Sequence, residues 1–312
     1  MNNKIYLSHS RVGIWIAIKN ENITEKFNVL LPDYICESVP NYLLNKKINI
    51  IFYKIDKTLN IDWNDLDNKL NDQSKFLIIV NYFGFPMSLN KSIEYAKKNK
   101  LILIEDSTHC HGGKFENIKL GNFGDYGITS PRKHIPIKYG GIIYSKKHIS
   151  INGNYYYIST NYDKLNYYLS KNFLKKKLFL KNIIKKKSKH IFETFEDIVK
   201  FSYLDKFSIK IIENTNWNNI KKEKAENFEF WRHFCKKNNL HSIINERVDD
   251  LNPWAFPVLM ESQNDVVKWI NWGIKNKVIL YSWPTISSSV SHNSDAKEMS
   301  KKLLCFSTYC KL

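Results

Sequence analysis

Leu101-Ile102-Leu103-Ile104-Glu105-Asp106-Ser107-Thr108-His109-Cys110-His111-Gly112 decides how this chain is read. An unbroken apolar run, too short for a helix of its own, ends in an acid pair, and a histidine follows three residues after Asp106. Such a run is the mark of a strand buried on both faces, the condition of a parallel sheet covered by helices. Leu77-Ile78-Ile79-Val80 carries the same pattern upstream. Working outward, apolar runs at 29–31, 48–55, 76–83, 126–129 and 142–144 alternate with polar, helix-like stretches such as 90–99. This βαβα rhythm predicts an α/β fold, a mainly parallel sheet flanked by helices. Beyond it the character changes. Lysine-rich helices run to about Lys210, then a charged helix is expected over 217–235, a strand over 254–260 and a helix over 263–276. A polar cluster at 213–216 breaks the pattern and divides a large α/β domain, 1–214, from a small C-terminal α+β domain, 215–312.

Composition narrows the class. The 312 residues are 43% hydrophobic and 14% aromatic, enough for a sizeable core and against a disordered chain. No apolar run reaches the ~18 residues of a membrane span. Met1-Asn2-Asn3-Lys4-Ile5 opens no apolar leader, so a cytoplasmic protein is expected. Lysine and arginine total 48 against 30 acids, a net charge of +18. Only Arg11, Arg132, Arg232 and Arg247 are arginines, however, and reading nucleic acid favours the planar arginine fork. Asparagine and isoleucine are also abundant and share AT-rich codons with lysine, so compositional bias explains much of the charge. Nucleic acid is not expected as a partner. Over residues 171–189, lysines interleave with Phe173, Leu174, Leu178, Phe179, Ile183 and Ile184 at helical spacing. That basic amphipathic stretch can pack on the core or make weak contact with an anionic membrane surface.

Five scattered cysteines, Cys36, Cys110, Cys235, Cys305 and Cys310, form no C-x-x-C pair, which argues against a disulfide framework and a zinc ribbon. His109-Cys110-His111 looks like a metal cluster, but neighbours on an extended chain alternate between faces, so no metal is expected.

Four features carry the chemistry. Ser8-His9-Ser10-Arg11-Val12-Gly13 enters an apolar helix, whose free N–H groups and positive dipole end can cap or seat an anion. Asp106 stands at the carboxyl end of a strand, where ligands of α/β sheets sit; it can hold a cationic ring nitrogen or cap the next helix. Ser130 follows the strand 126–129, and Lys133 follows Ser130, a hydroxyl for an anion and an amine able to form an imine. Gly140-Gly141 opens the next strand and permits close backbone approach. Phosphate seat, carboxylate, hydroxyl and amine are together the contacts of pyridoxal phosphate.

These residues resemble the DegT/StrS-type sugar aminotransferases, pyridoxal-phosphate enzymes of fold type I. The resemblance rests above all on Glu105-Asp106-Ser107-Thr108-His109, similar to that family's E-D-x-A-[QH]. Leu31-Pro32-Asp33-Tyr34, Asn60-Ile61-Asp62, Asn81-Tyr82-Phe83-Gly84 and the order Ser130, Lys133, Gly140-Gly141 add to it. The resemblance implies that Asp106 pairs with the pyridine nitrogen and that His109 contacts the ring or its phenolic oxygen. Ser130, with Ser10 and Arg11, would bind the phosphate, and Lys133 would form the imine. Lys133 lies three residues after Ser130 where the common pattern has five; S-x-R-K-x-x-P-x-x-x-G-G is similar to a branch with a shortened loop. Lys138 is the competing amine. Cys36 falls where many members place an aromatic ring against the cofactor. The family further implies a nucleotide-linked keto-sugar as substrate, an amino-acid donor such as glutamate, a homodimer, and a place in bacterial surface polysaccharide synthesis. A decarboxylase or sugar dehydratase on the same scaffold, or a non-catalytic homologue, are the alternatives.

Overall fold

In the computed structural model, which describes residues 3–151, 159, 161–171, 202–244, 249–291 and 294–309, the run around Ile104 becomes β5 (Ile102–Ser107). It lies inside a seven-stranded sheet with β1 (Asn3–Leu7), β2 (Asn28–Pro32), β3 (Asn49–Tyr53), β4 (Ser74–Val80), β8 (Tyr126–Thr129) and β9 (Gly141–Ser145). The order is β1-β9-β8-β5-β4-β2-β3. From β3 to β8 every pairing is parallel, while β9 runs antiparallel to both β8 and β1. A small hairpin of β6 (Lys114–Phe115) and β7 (Ile118–Lys119) stands apart.

The apolar runs form strands because helices cover both faces. Phe76, Leu77, Ile78 and Ile79 of β4 are all buried, as are Leu103 and Ile104 of β5. Each such side chain contributes roughly 1.5–3 kcal/mol on burial. α1 (Ser10–Asn20) sets Val12, Ile14, Ile16 and Ala17 into this core. α2 (Ser38–Asn45) and α3 (Trp63–Lys69) follow, α3 starting where the Asp62 carboxylate accepts the Asp65 N–H. α4 (Leu89–Lys98) turns Leu89, Ser92 and Ala96 inward. α5 spans Asn161–Lys171. The basic stretch at 171–189 lies outside the described residues beyond Lys171 itself.

After the polar cluster, α6 (Lys206–Asn214) gives way to α7 (Trp217–Lys237), which begins where the Asn216 side chain accepts the Asn219 N–H. α7 covers a three-stranded antiparallel sheet of order β10-β12-β11: β10 (Ala255–Leu259), β12 (Leu303–Ser307) and β11 (Leu280–Ser282). α8 (Gln263–Asn276) and α9 (Asp295–Lys302) complete this part. Phe228 of α7 packs against Phe256 on one side and Phe85 on the other, so the core runs on from the large sheet into the small one.

Two differences from the sequence reading have local causes. The run 76–83 is strand only to Val80; Tyr82–Gly84 is a 3-10 turn with Phe83 at φ 56°, and the chain leaves the sheet there. β1 escapes a reading by apolar runs because it is the last strand of the sheet beyond β9, exposed at Asn3 and Lys4, with only its end bridged from the other side, Leu7 to Tyr203. No disulfide joins the described cysteines, Cys36, Cys110, Cys235 and Cys305. No described helix is long and apolar enough to cross a membrane.

Candidate active site

The two acids of β5 face different surroundings, as alternation along a strand requires. Glu105, fully buried, accepts hydrogen bonds from Asn81 Nδ2 (2.9 Å), Ser107 Oγ (2.7 Å) and the N–H groups of Gly121 (2.7 Å) and Phe123 (2.9 Å). It ties down the loop that leads into β8. Asp106, also buried, accepts the Thr108 N–H at 3.0 Å and a bond from the Thr108 side chain. Burial raises its carboxyl above the ordinary range, opposed by the bonds from Thr108 and by the nearby Lys133 charge. Of the pair, Asp106 is the acid left for a ligand.

His109 stands where the chain turns past β5. Its Nδ1 accepts the Phe83 N–H at 3.2 Å, which leaves the proton on Nε2. The ring stacks on Trp254, with centroids 4.2 Å apart, and meets the edge of Trp283 at 4.7 Å. Burial, then the Lys133 charge, holds the imidazole well below its usual range, so it is neutral at physiological pH. The rest of the apparent metal cluster goes elsewhere. Cys110 Sγ donates to Asn81 O at 3.3 Å, and His111 pairs with Thr129 Oγ1 at 2.9 Å against the edge of Trp217.

β8 delivers the next group. Buried Ser130 donates its hydroxyl to Gly140 O at 3.1 Å. A 3-10 turn, Pro131–Lys133, follows, and the Lys133 N–H closes it on Ser130 O at 3.1 Å. That tight turn accommodates the short serine-to-lysine spacing. Lys133 Nζ lies 4.2 Å from the centroid of Trp254, the same ring that stacks on His109. Lys138 leads away: its side chain is 51% exposed and pairs with Asp163 at 3.5 Å.

Ser10 opens α1 and donates its hydroxyl to Thr129 O at 3.2 Å, placing the helix start beside the end of β8. His9, at the N-cap, makes no side-chain capping bond. A Cβ on Gly141 would sit 2.6 Å from Ser10 N, so only glycine lets β9 begin so close to the helix. Arg11 is half-buried and its charge acts on Tyr42 of α2. Cys36 is half-buried too, with Sγ 3.2 Å from Ser38 Oγ and a β-bridge to Ile286. The rings packed on His109 are Trp254, Trp283 and Phe83. Trp254 and Trp283 were missed in the sequence; the only available signal was that Trp254 opens a strand-like run.

The structure therefore brings His109 and Lys133 together on Trp254, with the Lys133 charge acting on Asp106 and with Ser10 and Ser130 at the adjoining ends of α1 and β8. Residues 3–152 match the DegT/DnrJ/EryC1/StrS aminotransferase family. That stretch belongs to this family. Among the family's relatives, GDP-perosamine synthase of Escherichia coli O157:H7 is 26% identical over 140 residues, 44% of this chain and 38% of that protein. GDP-4-keto-6-deoxy-D-mannose 3-dehydratase of E. coli O55:H7 is 32% identical over 99 residues, 31% of this chain and 26% of that protein. The match thus spans well under half the length of these curated relatives. Over the whole fold, the chain is similar to the putative sugar aminotransferase Spr1654 of Streptococcus pneumoniae in its PLP form, with a TM-score of 0.68 and 12% identity. That likeness covers 99% of this chain and 82% of the solved one. The fold is that of the type I pyridoxal-phosphate aminotransferases.

Proposed function

We propose that this protein is a pyridoxal-phosphate-dependent aminotransferase that moves an amino group from an amino acid, with glutamate the expected donor, to a nucleotide-linked keto-sugar. The observation that carries this reading is that His109 and Lys133, from beyond the carboxyl ends of β5 and β8, meet on Trp254, with the Lys133 charge acting on the buried carboxyl of Asp106. The donor set fits the cofactor group by group. Asp106 is a buried carboxylate facing a cation, as a protonated ring nitrogen requires. Ser10, Ser130 and the N-cap of α1, free of a side-chain cap, suit a phosphate. Lys133 is the amine that suits an aldehyde.

When bound, the cofactor supplies an electron sink for a substrate carbanion. The chain's residues do the rest. Asp106 keeps a proton on the ring nitrogen. His109, fixed by Phe83 N–H, presents its Nε2–H as a neutral donor. Lys133 would serve as the general base at the substrate carbon that carries the amino group, a role that needs its amine in part neutral. Trp254 and Trp283 shield this corner from water. The lysine-rich surface favours the approach of a substrate carrying a diphosphate. The names of the relatives support the nucleotide-sugar class and a role in making surface polysaccharide, and family resemblance supports a homodimer with the site at the subunit boundary.

The test is incubation with pyridoxal phosphate, glutamate and a panel of nucleotide keto-sugars. Formation of 2-oxoglutarate in proportion to amino-sugar supports transfer. The dehydratase relative favours a second reading, in which a hydroxyl of the keto-sugar is replaced by hydrogen with glutamate as the two-electron reductant, so that 2-oxoglutarate and free ammonia form without amino-sugar.

A further inference from the structure

His134 follows Lys133 and closes the same turn, its N–H bonded to Pro131 O at 2.8 Å. The imidazole is 3% exposed, and neither ring nitrogen has a hydrogen-bond partner. A buried N–H left unanswered is costly, and a ligand that accepts from it would remove that cost. The charge that bears most strongly on this ring is Lys224.

Lys224 projects from α7 and is itself 3% exposed. Its Nζ reaches Thr308 Oγ1 at 3.3 Å and lies 4.1 Å from the centroid of Tyr309, both uncharged groups. Glu223, the neighbour in the chain, is the acid that supports its charge, and no ion pair of Lys224 is seen among the described residues. A buried ammonium without a carboxylate in contact is costly. Thr308 in turn donates its hydroxyl toward Pro253 O (2.6 Å) and Trp254 O (2.9 Å). One hydroxyl therefore links Lys224 to the backbone of the residue whose ring carries Lys133. Tyr309, 38% exposed, covers the amine and borders solvent, with the Arg132 charge acting on it.

We propose that Lys224 and His134 form a carboxylate-binding site beside Lys133, which takes the acid group of a small amino or keto acid. One ammonium and one imidazole N–H match the single charge and two oxygens of a carboxylate. A phosphate dianion needs more donors, and the groups suited to it lie at Ser10 and Ser130. The identity of the acid as amino donor rests on the aminotransferase reading; the binding of a carboxylate does not.

The experiment is calorimetric titration of the full chain, without cofactor, with glutarate, which has neither an amine nor a carbonyl to react, and separately with inorganic phosphate. Wild type is expected to bind glutarate, and to bind phosphate at least ~10-fold more weakly at this site. Lys224→Met should weaken glutarate binding by at least ~10-fold, and His134→Phe by ~5-fold. Burial pushes the Lys224 amine down to about 7, and binding requires it charged, so glutarate affinity should fall by up to ~10-fold per pH unit above that point. Glu223 supports the charge of the amine, Tyr309 lies against it and bears the Arg132 charge, and His134 bears the charge of Lys224; His134→Phe keeps that pH profile while lowering the affinity. Unchanged binding in folded Lys224→Met, or phosphate binding lost equally in that variant, overturns the proposal. If Lys224→Met does not fold, unchanged binding in His134→Phe overturns it as well. Loss of glutarate binding alongside intact 2-oxoglutarate formation removes this site alone. Intact glutarate binding in a protein that never takes up pyridoxal phosphate leaves the site standing and removes the aminotransferase reading.

Discussion

Replacing Glu105 by Gln tests how the site is held. One carboxylate oxygen receives Asn81 Nδ2, Ser107 Oγ and Gly121 N–H, and the other receives the Phe123 N–H, with Gly124 also bonded to the group. A glutamine can serve only one side. With its carbonyl turned to Asn81 and Gly121, its NH2 faces the Phe123 and Gly124 N–H groups, donor against donor. Bonds to a charged group contribute about 1.5–3 kcal/mol each, so two lost bonds cost about 3–6 kcal/mol. Part of this returns because burial already disfavours the charge, raising the Glu105 carboxyl above its ordinary range. A net loss of about 2–4 kcal/mol remains, equivalent to a Tm lower by roughly 3–6 °C at an unfolding entropy of about 2.1 cal/mol/K per residue. Urea unfolding followed by tryptophan fluorescence reads it as a lower midpoint with an unchanged slope. Because the loop 121–124 runs directly into β8, and so to Ser130 and Lys133, affinity for pyridoxal phosphate falls in the same variant. A loss below about 1 kcal/mol would refute the view that Glu105 anchors the site through its charge.

Three further outcomes are expected. Gly141→Ala forces a methyl to 2.6 Å from Ser10 N and 2.8 Å from His9 C, backbone that cannot swing aside. A stability loss of about 1–3 kcal/mol, with at least ~10-fold weaker pyridoxal phosphate binding in a fluorescence titration, is the result to look for. Lys224 has an amine near 7 in the fold against 10.5 when unperturbed, so between these values the unfolded chain holds a proton that the native state does not. Stability therefore rises with pH through that window by up to ~1.4 kcal/mol per unit; relative to Lys224→Met, the wild type should gain roughly 2–3 kcal/mol between pH 7 and 9 in urea unfolding. Lys138→Ala takes the ammonium from an Asp163 side chain that is only 9% exposed, so stability should fall by about 1–3 kcal/mol while the absorbance of the cofactor-loaded protein does not change.

The legible parts of this fold are those whose burial leaves a pattern along the chain. β4 and β5 are covered on both faces and stand out as unbroken apolar runs, and the helix expected at 263–276 forms with those bounds. β1 and β11 are not legible that way. One is an edge strand with exposed polar residues, and the other has three residues, too few for a period. The same contrast runs through the site. Asp106, His109, Ser130 and Lys133 sit at the ends of adjacent parallel strands, so their chemistry shows up as short, ordered motifs. Trp254 and Trp283 reach His109 only through the packing of the small sheet on the large one, and no local signal marks them. Lys224 was hidden differently: in a chain with 48 basic residues, one lysine on a charged helix is indistinguishable from its solvated neighbours until its burial is known. The short serine-to-lysine spacing becomes intelligible only as the hydrogen-bonded turn from Ser130 to Lys133.

The central claim is that the amine on the face of Trp254 is the one that meets the cofactor's aldehyde. Borohydride reduction of the protein loaded with pyridoxal phosphate, followed by mass spectrometry of its peptides, locates that amine. A pyridoxyl group on Lys133 is the predicted result; the same group on Lys138, or no label on either, would contradict it.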